Sequence, residues 1–436
     1  MERQYKDSGI EWFGRIPETW AISSIKHLMQ LYAGATPKSD NNELWDGDIP
    51  WITPADYKTE DIYVSGGRRN ISEKGLQSCA TTVLPINSIV FSKRAPIGLV
   101  ALNRIPLCTN QGCIGCIANQ QKANSKFYYY VLSVFTEQFE LFGSGTTFKE
   151  ISASNFANFK VTVPFIAEQL RIVDYLDKKC GEIDSLIVLQ EQMIEKLKAY
   201  KQSVITEAVT KGLDPNAKLV PSGIDWVGDM PERWAIGRFY FLNWIRARLG
   251  WRGLKAEEYT ETGFPFLSAF NIINNRLDWS NINFINQERY DESPEIKLNI
   301  GDVLLVKDGA GIGKCARIDE LPYGPATVNG SLAVITPNKE LHYKFLYYYL
   351  QSNPFWHIIN LLLVGMGVPH LTQTNMKSIY MPLPIVEEQQ SIASYLDEKC
   401  SDIDRLIGLK QQKIELLKDY KKSVIFEAVT GKTIIE

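Results

Sequence analysis

Few residue groups in this chain have the types and spacing that chemistry needs. Gly309-Ala310-Gly311-Ile312-Gly313-Lys314 follows an apolar run and suggests a loop whose backbone N–H groups cradle phosphates. That loop requires Gly where Asp308 stands and Ser or Thr where Cys315 stands. The first half of the chain carries Ala95-Pro96-Ile97-Gly98 at the corresponding place, so a tight turn accounts for both. Leu141-Phe142-Gly143-Ser144-Gly145 has the glycine spacing of a methyl-donor-binding loop. However, it follows a Tyr-rich helical stretch instead of a strand, and no Asn-Pro-Pro-Tyr-type segment occurs. Cys108, Cys113 and Cys116 would need a second Cys or His pair to hold zinc, and His27, His342, His357 and His370 all lie far from them in sequence. Small apolar fillers of a strand-rich core are the expectation there. No Ser, Cys or His stands at a nucleophile–base spacing. We therefore expect no catalytic residue, no metal and no cofactor in this chain.

What is left is cations interleaved with aromatics and glycine. Arg246-Ala247-Arg248-Leu249-Gly250-Trp251-Arg252-Gly253-Leu254-Lys255 is the densest case. Arg68-Arg69, Lys93-Arg94 and Thr146-Thr147-Phe148-Lys149 are others, and Lys38, Lys307, Lys314 and His370 complete the candidate DNA-binding set. Lys and Arg neutralise phosphates, and Arg can also pair with base edges in the major groove. The formal net charge of -3 excludes a globally basic nucleic-acid binder. Residues 1–163 carry 16 Lys and Arg against 15 Asp and Glu, and residues 213–383 carry 16 against 17, so any basic surface must be a local patch.

Such patches need elements to carry them, and an internal repeat supplies the plan. Ser8-Gly9-Ile10-Glu11-Trp12-Phe13-Gly14 returns as Ser222-Gly223-Ile224-Asp225-Trp226-Val227-Gly228. Pro164–Thr210 and Pro384–Thr430 align without a gap and are identical at 28 of 47 positions, while the intervening segments match only weakly. The matched segments read as long helices headed by proline. Their apolar residues recur every seven positions: Leu176, Ile183, Leu197 and Val204 beside Ile187 and Ile194, then Leu396, Ile403, Leu417 and Val424 beside Ile407 and Ile414. Gln190 and Lys410 interrupt the two seams. Neither helix can bury its stripe alone, so we expect the pair to form an antiparallel coiled coil. The expected architecture is α/β, of the α+β kind, with a pseudo-two-fold repeat. A first globular domain (1–163), a central helix (164–212), a second globular domain (213–383) and a C-terminal helix (384–436) follow in order.

The chain resembles the specificity subunits of type I restriction–modification systems over essentially its whole length. Pro164-Phe165-Ile166-Ala167-Glu168-Gln169 and Pro384-Ile385-Val386-Glu387-Glu388-Gln389 match that family's repeated helix opening, with one proline where many members have two. Tyr175-Leu176-Asp177 and Tyr395-Leu396-Asp397 continue it. Gly34-Ala35-Thr36-Pro37, Trp45-Asp46-Gly47-Asp48-Ile49-Pro50-Trp51 and Gly250-Trp251-Arg252-Gly253-Leu254 resemble its target-recognition domains. The resemblance implies two target-recognition domains, each reading one half of an asymmetric, bipartite site in double-stranded DNA. It implies helices that space them and dock two modification (methyltransferase) subunits, with restriction (motor-nuclease) subunits joining through these. S-adenosylmethionine, ATP and Mg then belong to the partners. The competing expectation is a coiled-coil adaptor that gathers proteins without reading DNA. No membrane span or signal peptide is read, so the expected location is cytoplasmic.

Overall fold

The computed structural model describes residues 3–58, 60–143, 149–248, 254, 256–309, 311–363 and 370–435. Two compact units emerge, and they cut across the four segments in sequence order. The first comprises Met1–Gln190 with Gln412–Glu436, and the second Glu191–Gln411. The reason is the apolar stripe: each half of each long helix is buried by a partner helix half and by one globular segment.

In the first unit, Ile89–Ser92, buried at every position, is the middle of a five-stranded sheet. The order is Met29–Ala33, Cys113–Ala118, Ile89–Ser92, Val100–Asn103, Tyr63–Val64, antiparallel except at the last pair. A three-stranded sheet places Trp45–Ile52 between Cys108–Thr109 and Arg69–Ile71. The second unit repeats the plan with Val303–Val306 inside a four-stranded sheet and Phe264–Leu267 between Asn283–Ile285 and Thr327–Val328. The Tyr-rich segments form the helices Ser125–Val134 and Tyr343–Tyr349, whose aromatic rings fill the main cores.

The long helices run over Ile166–Lys211 and Val386–Val429. In the first unit Ile172, Leu176 and Cys180 share a core with Val424, Ile425 and Ala428. Asp184 meets Lys421 at 2.7 Å, and Thr162, just ahead of its helix, donates to the Val429 carbonyl. In the second, Ile205, Ala208 and Val209 pack with Ile392, Leu396 and Cys400, and Lys201 meets Asp404 at 2.7 Å. Within each unit the two helix halves therefore run antiparallel. Along the seams Leu176, Ile183, Ile194, Leu396, Ile403, Ile414 and Val424 are buried, and Ile187, Leu197, Val204, Ile407 and Leu417 are partly so.

The motif residues at the helix openings fasten each globular segment to its helix. Gln169, fully buried, accepts from Asn124 N and donates to the carbonyls of Lys122 and Pro164. Gln389 does the same with His342, Glu340 and Pro384. One turn or two further on, Asp177 accepts from Lys126 and Tyr130, both at 2.6 Å. Asp397 accepts from Arg317, Tyr348 and Lys344 at 2.5, 2.6 and 2.9 Å. Buried polar groups need partners, and the two glutamines supply them to backbone that helix and sheet leave unpaired. No helix among the described residues is long and apolar enough to cross a membrane.

Candidate nucleic-acid interface

In the first unit, several loops are tied to one another by backbone hydrogen bonds. Ala35 N donates to Thr109 O, Asn110 N to Ile52 O, Lys93 N to Gly112 O, and Ile151 N to Lys93 O. Gly34 admits no side chain, since a Cβ would lie 2.0 Å from Asn110 O and 2.4 Å from Thr109 Oγ1. Trp51 Nε1 donates to Ala35 O at 2.9 Å and Trp45 Nε1 to Lys38 O at 3.0 Å. The Gly-Ala-Thr-Pro segment and the Trp-flanked segment are thus one device: buried indoles hold a loop that no other backbone could approach so closely.

This row of loops displays exposed Lys38, Arg68, Arg69 and Lys149. Arg69 stacks on Trp45, 3.9 Å from the ring centroid, a geometry worth a fraction of a kcal/mol to about 1 kcal/mol at an exposed site. Arg68 is 82% exposed, with Asp56 3.8 Å away. Lys93 and Arg94 both bridge Glu150 at 2.8 Å. The Lys93 ammonium, and after it the Arg94 guanidinium, hold the Glu150 carboxyl below its ordinary range against the opposing effect of burial. Thr36 and Gln111, both exposed, are hydrogen-bonded to each other across the row. Thr36 is legible in the sequence only as part of the Gly-Ala-Thr-Pro segment, and Asn110 and Gln111 are not among the candidate contacts; the signal available for them is Asn110-Gln111-Gly112 answered by Asn329-Gly330-Ser331, each at the start of an apolar run.

The second unit builds the row from corresponding bonds. Asn329 N donates to Leu267 O, Lys307 N to Ser331 O, and Leu371 N to Lys307 O. The bridge that joins Arg94 to Glu150 in the first unit joins Asp308 to His370 in the second. Each pair is closed by a side-chain contact, with the acidic member on opposite strands in the two units. Lys307 Nζ also meets Asp308, at 2.7 Å, and Lys314 is exposed.

Arg246 and Arg248 are corrected here. The Arg246 side chain is 3% exposed and its guanidinium grips both oxygens of Asp302 at 2.8 Å, and also donates to Lys297 O and Thr336. Arg246 ends the strand Asn243–Arg246 and is buried there, so its guanidinium serves an internal ion pair. Arg248 is 9% exposed and lies 3.6 Å from Glu292. Lys93 and Lys307 are also mostly covered, at 16% and 13%, which leaves their partners more accessible than they are. Thr146, Thr147, Trp251, Arg252 and Lys255 lie outside the described residues.

Cys108, Cys113 and Cys116 are buried as neutral thiols: burial pushes Cys108 up to about 11 and Cys113 to about 12, and Tyr57 lies 3.6 Å from the Cys113 sulfur. Ile312 N donates to Gly309 O and Gly313 N to Val306 O, which turns the chain back onto the strand Val303–Val306.

Fold and loops define a doubled binding module: two α+β domains of one plan, each with a row of tied loops, mounted on shared helices. Among the described residues it holds no group of side chains able to bind a metal ion. The chain belongs to the type I restriction modification DNA specificity domain family, whose model matches residues 17–199 and 252–419. It is 28% identical to the MjaIX specificity subunit of Methanocaldococcus jannaschii, over 100% of this chain and 98% of that one. It is 21% identical to the EcoKI specificity subunit of Escherichia coli K12, over 96% and 90% of the two chains. Its fold is similar to that of the HsdS subunit from Thermoanaerobacter tengcongensis, with a TM-score of 0.51 at 17% identity over 96% and 98% of the chains. A chain from a structure concerned with complex assembly and conformational transition of the type I R-M system gives a TM-score of 0.72, also at 17% identity, over 96% and 99%.

Proposed function

We propose that this chain is a non-catalytic DNA-specificity subunit whose two units each read one half of a bipartite, asymmetric site in double-stranded DNA. The observation that carries the reading is a contrast. The long helices are identical at 28 of 47 aligned positions, yet the loop rows fastened to them present different chemistry at equivalent points. A helix kept alike fits something that is the same on both sides, namely its twin and two copies of a modification subunit. Loop rows that differ fit two base sequences that differ. Cations such as Arg68 and Lys149 contact phosphates, and polar side chains such as Thr36 and Gln111 reach base edges. Restriction subunits join through the modification subunits. S-adenosylmethionine, ATP and Mg are bound by those partners and none is bound here. The complex acts in the cytoplasm.

Methylome sequencing of cells that express the chain with its modification subunit tests the proposal. The expected result is a methylated motif in two unlike halves separated by unspecified bases. A single contiguous motif, or no motif, overturns it.

A further inference from the structure

Phe270 is the most exposed large apolar residue among those described, at 92%. Its exposure is built, because the turn that carries it is locked on every side. Ser268 N and Oγ both donate to Asn271 Oδ1, at 2.9 and 3.2 Å, and Phe270 N donates to Ser268 Oγ at 3.3 Å. Asn271 is buried and donates to Asn281 O at 2.8 Å, and Asp278 N returns to Asn271 O at 2.8 Å. Among the described residues the ring has no aromatic neighbour, so both faces are open. Half-exposed Ile273 follows it on the same projection.

The first unit has the same turn, with the same reciprocal cap between Thr53 and Asp56, and carries Ala55 at the apex. In each unit the strand leading into the turn is bonded to the Asn110 or Asn329 loop, so the apex belongs to the loop row. One scaffold therefore holds a methyl group in one row and a bare aromatic ring in the other. A rigid, pre-ordered apolar ring loses little conformational freedom on insertion, which is what a wedge between base steps requires.

We propose that Phe270 is a wedge that enters the base stack of the half-site read by the second unit, partly unstacking one step and bending the duplex there. This rests on the DNA-reading function above and adds to it an element of shape recognition at a position with no base-edge hydrogen bond. A protein partner is the other class of occupant. DNA is favoured because the apex stands in the row that holds exposed Lys314 with Asn329 and His370, while the apolar residues left exposed on the long helices, such as Leu406 and Leu409, lie on a separate element.

The test uses the full chain with its modification subunits and a duplex carrying the motif found by sequencing. 2-Aminopurine is placed in turn at each unmethylated position. The wild-type complex should raise fluorescence several-fold at one step of the second half-site. F270A should abolish that rise and weaken binding about tenfold, F270W should restore both, and A55F should create a new rise in the first half-site. A wild-type fluorescence pattern in F270A overturns the wedge. So does loss of modification subunits from F270A on size exclusion with the unstacking intact, since the ring would then be a protein contact. A wild-type complex that methylates no bipartite motif overturns the DNA reading itself, whereas a normal motif with no unstacked step overturns the wedge alone.

Discussion

Arg246 and Arg94 look alike in sequence, each a cation set among glycine and aromatic or apolar residues, and differ only in what lies beside them. Arg94 is half-exposed and shares Glu150 with Lys93; Arg246 is buried against Asp302. No local pattern distinguishes the two, because the carboxylate that claims Arg246 is 56 residues away. Arg246→Ala leaves a buried carboxylate without its partner and is expected to cost roughly 3–5 kcal/mol, read by chemical denaturation, with the motif of any surviving complex unchanged. Arg252→Ala, by contrast, is expected to relax or weaken reading of the second half-site alone, seen as a degenerate base there in the methylome; equal loss in both halves refutes that assignment. At this scale the glycine and tryptophan positions were legible as a motif. Their purpose was not, since it depends on which carbonyl each indole meets.

At the scale of the element, the two units differ instructively at the start of their Tyr-rich helices. Asn124 caps its helix by accepting from Phe127 N at 3.0 Å, whereas His342 makes no cap and its Nδ1 is buried without a partner. Burial, and then the nearby Lys344 charge, hold the His342 pKa below its ordinary value. The folded chain thus refuses a proton that the unfolded chain accepts, so stability is full above about pH 6.5 and falls as the pH drops below it. Asp397 behaves similarly lower down. Burial raises its pKa, but hydrogen bonds from Arg317, Tyr348 and Lys344 outweigh that and lower it. Its contribution is complete above about pH 4 and is lost as pH falls through the folded value. Between pH 7 and 5.5, hydrogen-exchange protection should fall in Tyr343–Tyr349 before it falls in Ser125–Val134. His342→Asn, which copies Asn124, should remove that difference and add about 1 kcal/mol as a helix cap. The helices themselves were legible, because a seven-residue apolar period over more than 40 residues has few other solutions. The short strands were less so, since segments such as Cys108–Thr109 exist only by pairing with Trp51 and Ile52.

For the molecule as a whole, the long helices are the elements common to both units. Seven residues added to each, after Gln190 and after Gln411, keep the seam in phase and lengthen each helix by about 10 Å. The tolerated spacer of the methylated motif should then grow by roughly three base pairs. An unchanged spacer means that something other than helix length sets the interval.

The two-part composition of the first unit also dictates an order of events during synthesis. Its core includes Ile425, Ala428 and Val429, Thr162 bonds to Val429 O, and Tyr5 reaches Gly431 O. Everything in the second unit lies between Glu191 and Gln411. On the ribosome, the domain made first must therefore wait with an open core for residues made more than 200 positions later, while the domain made second can close before them. The earlier domain is the more exposed to chaperones, proteases and premature termination. A chain that ends at Gln411 should keep a protease-resistant second unit and lose the first, although every residue of the first globular segment is still present.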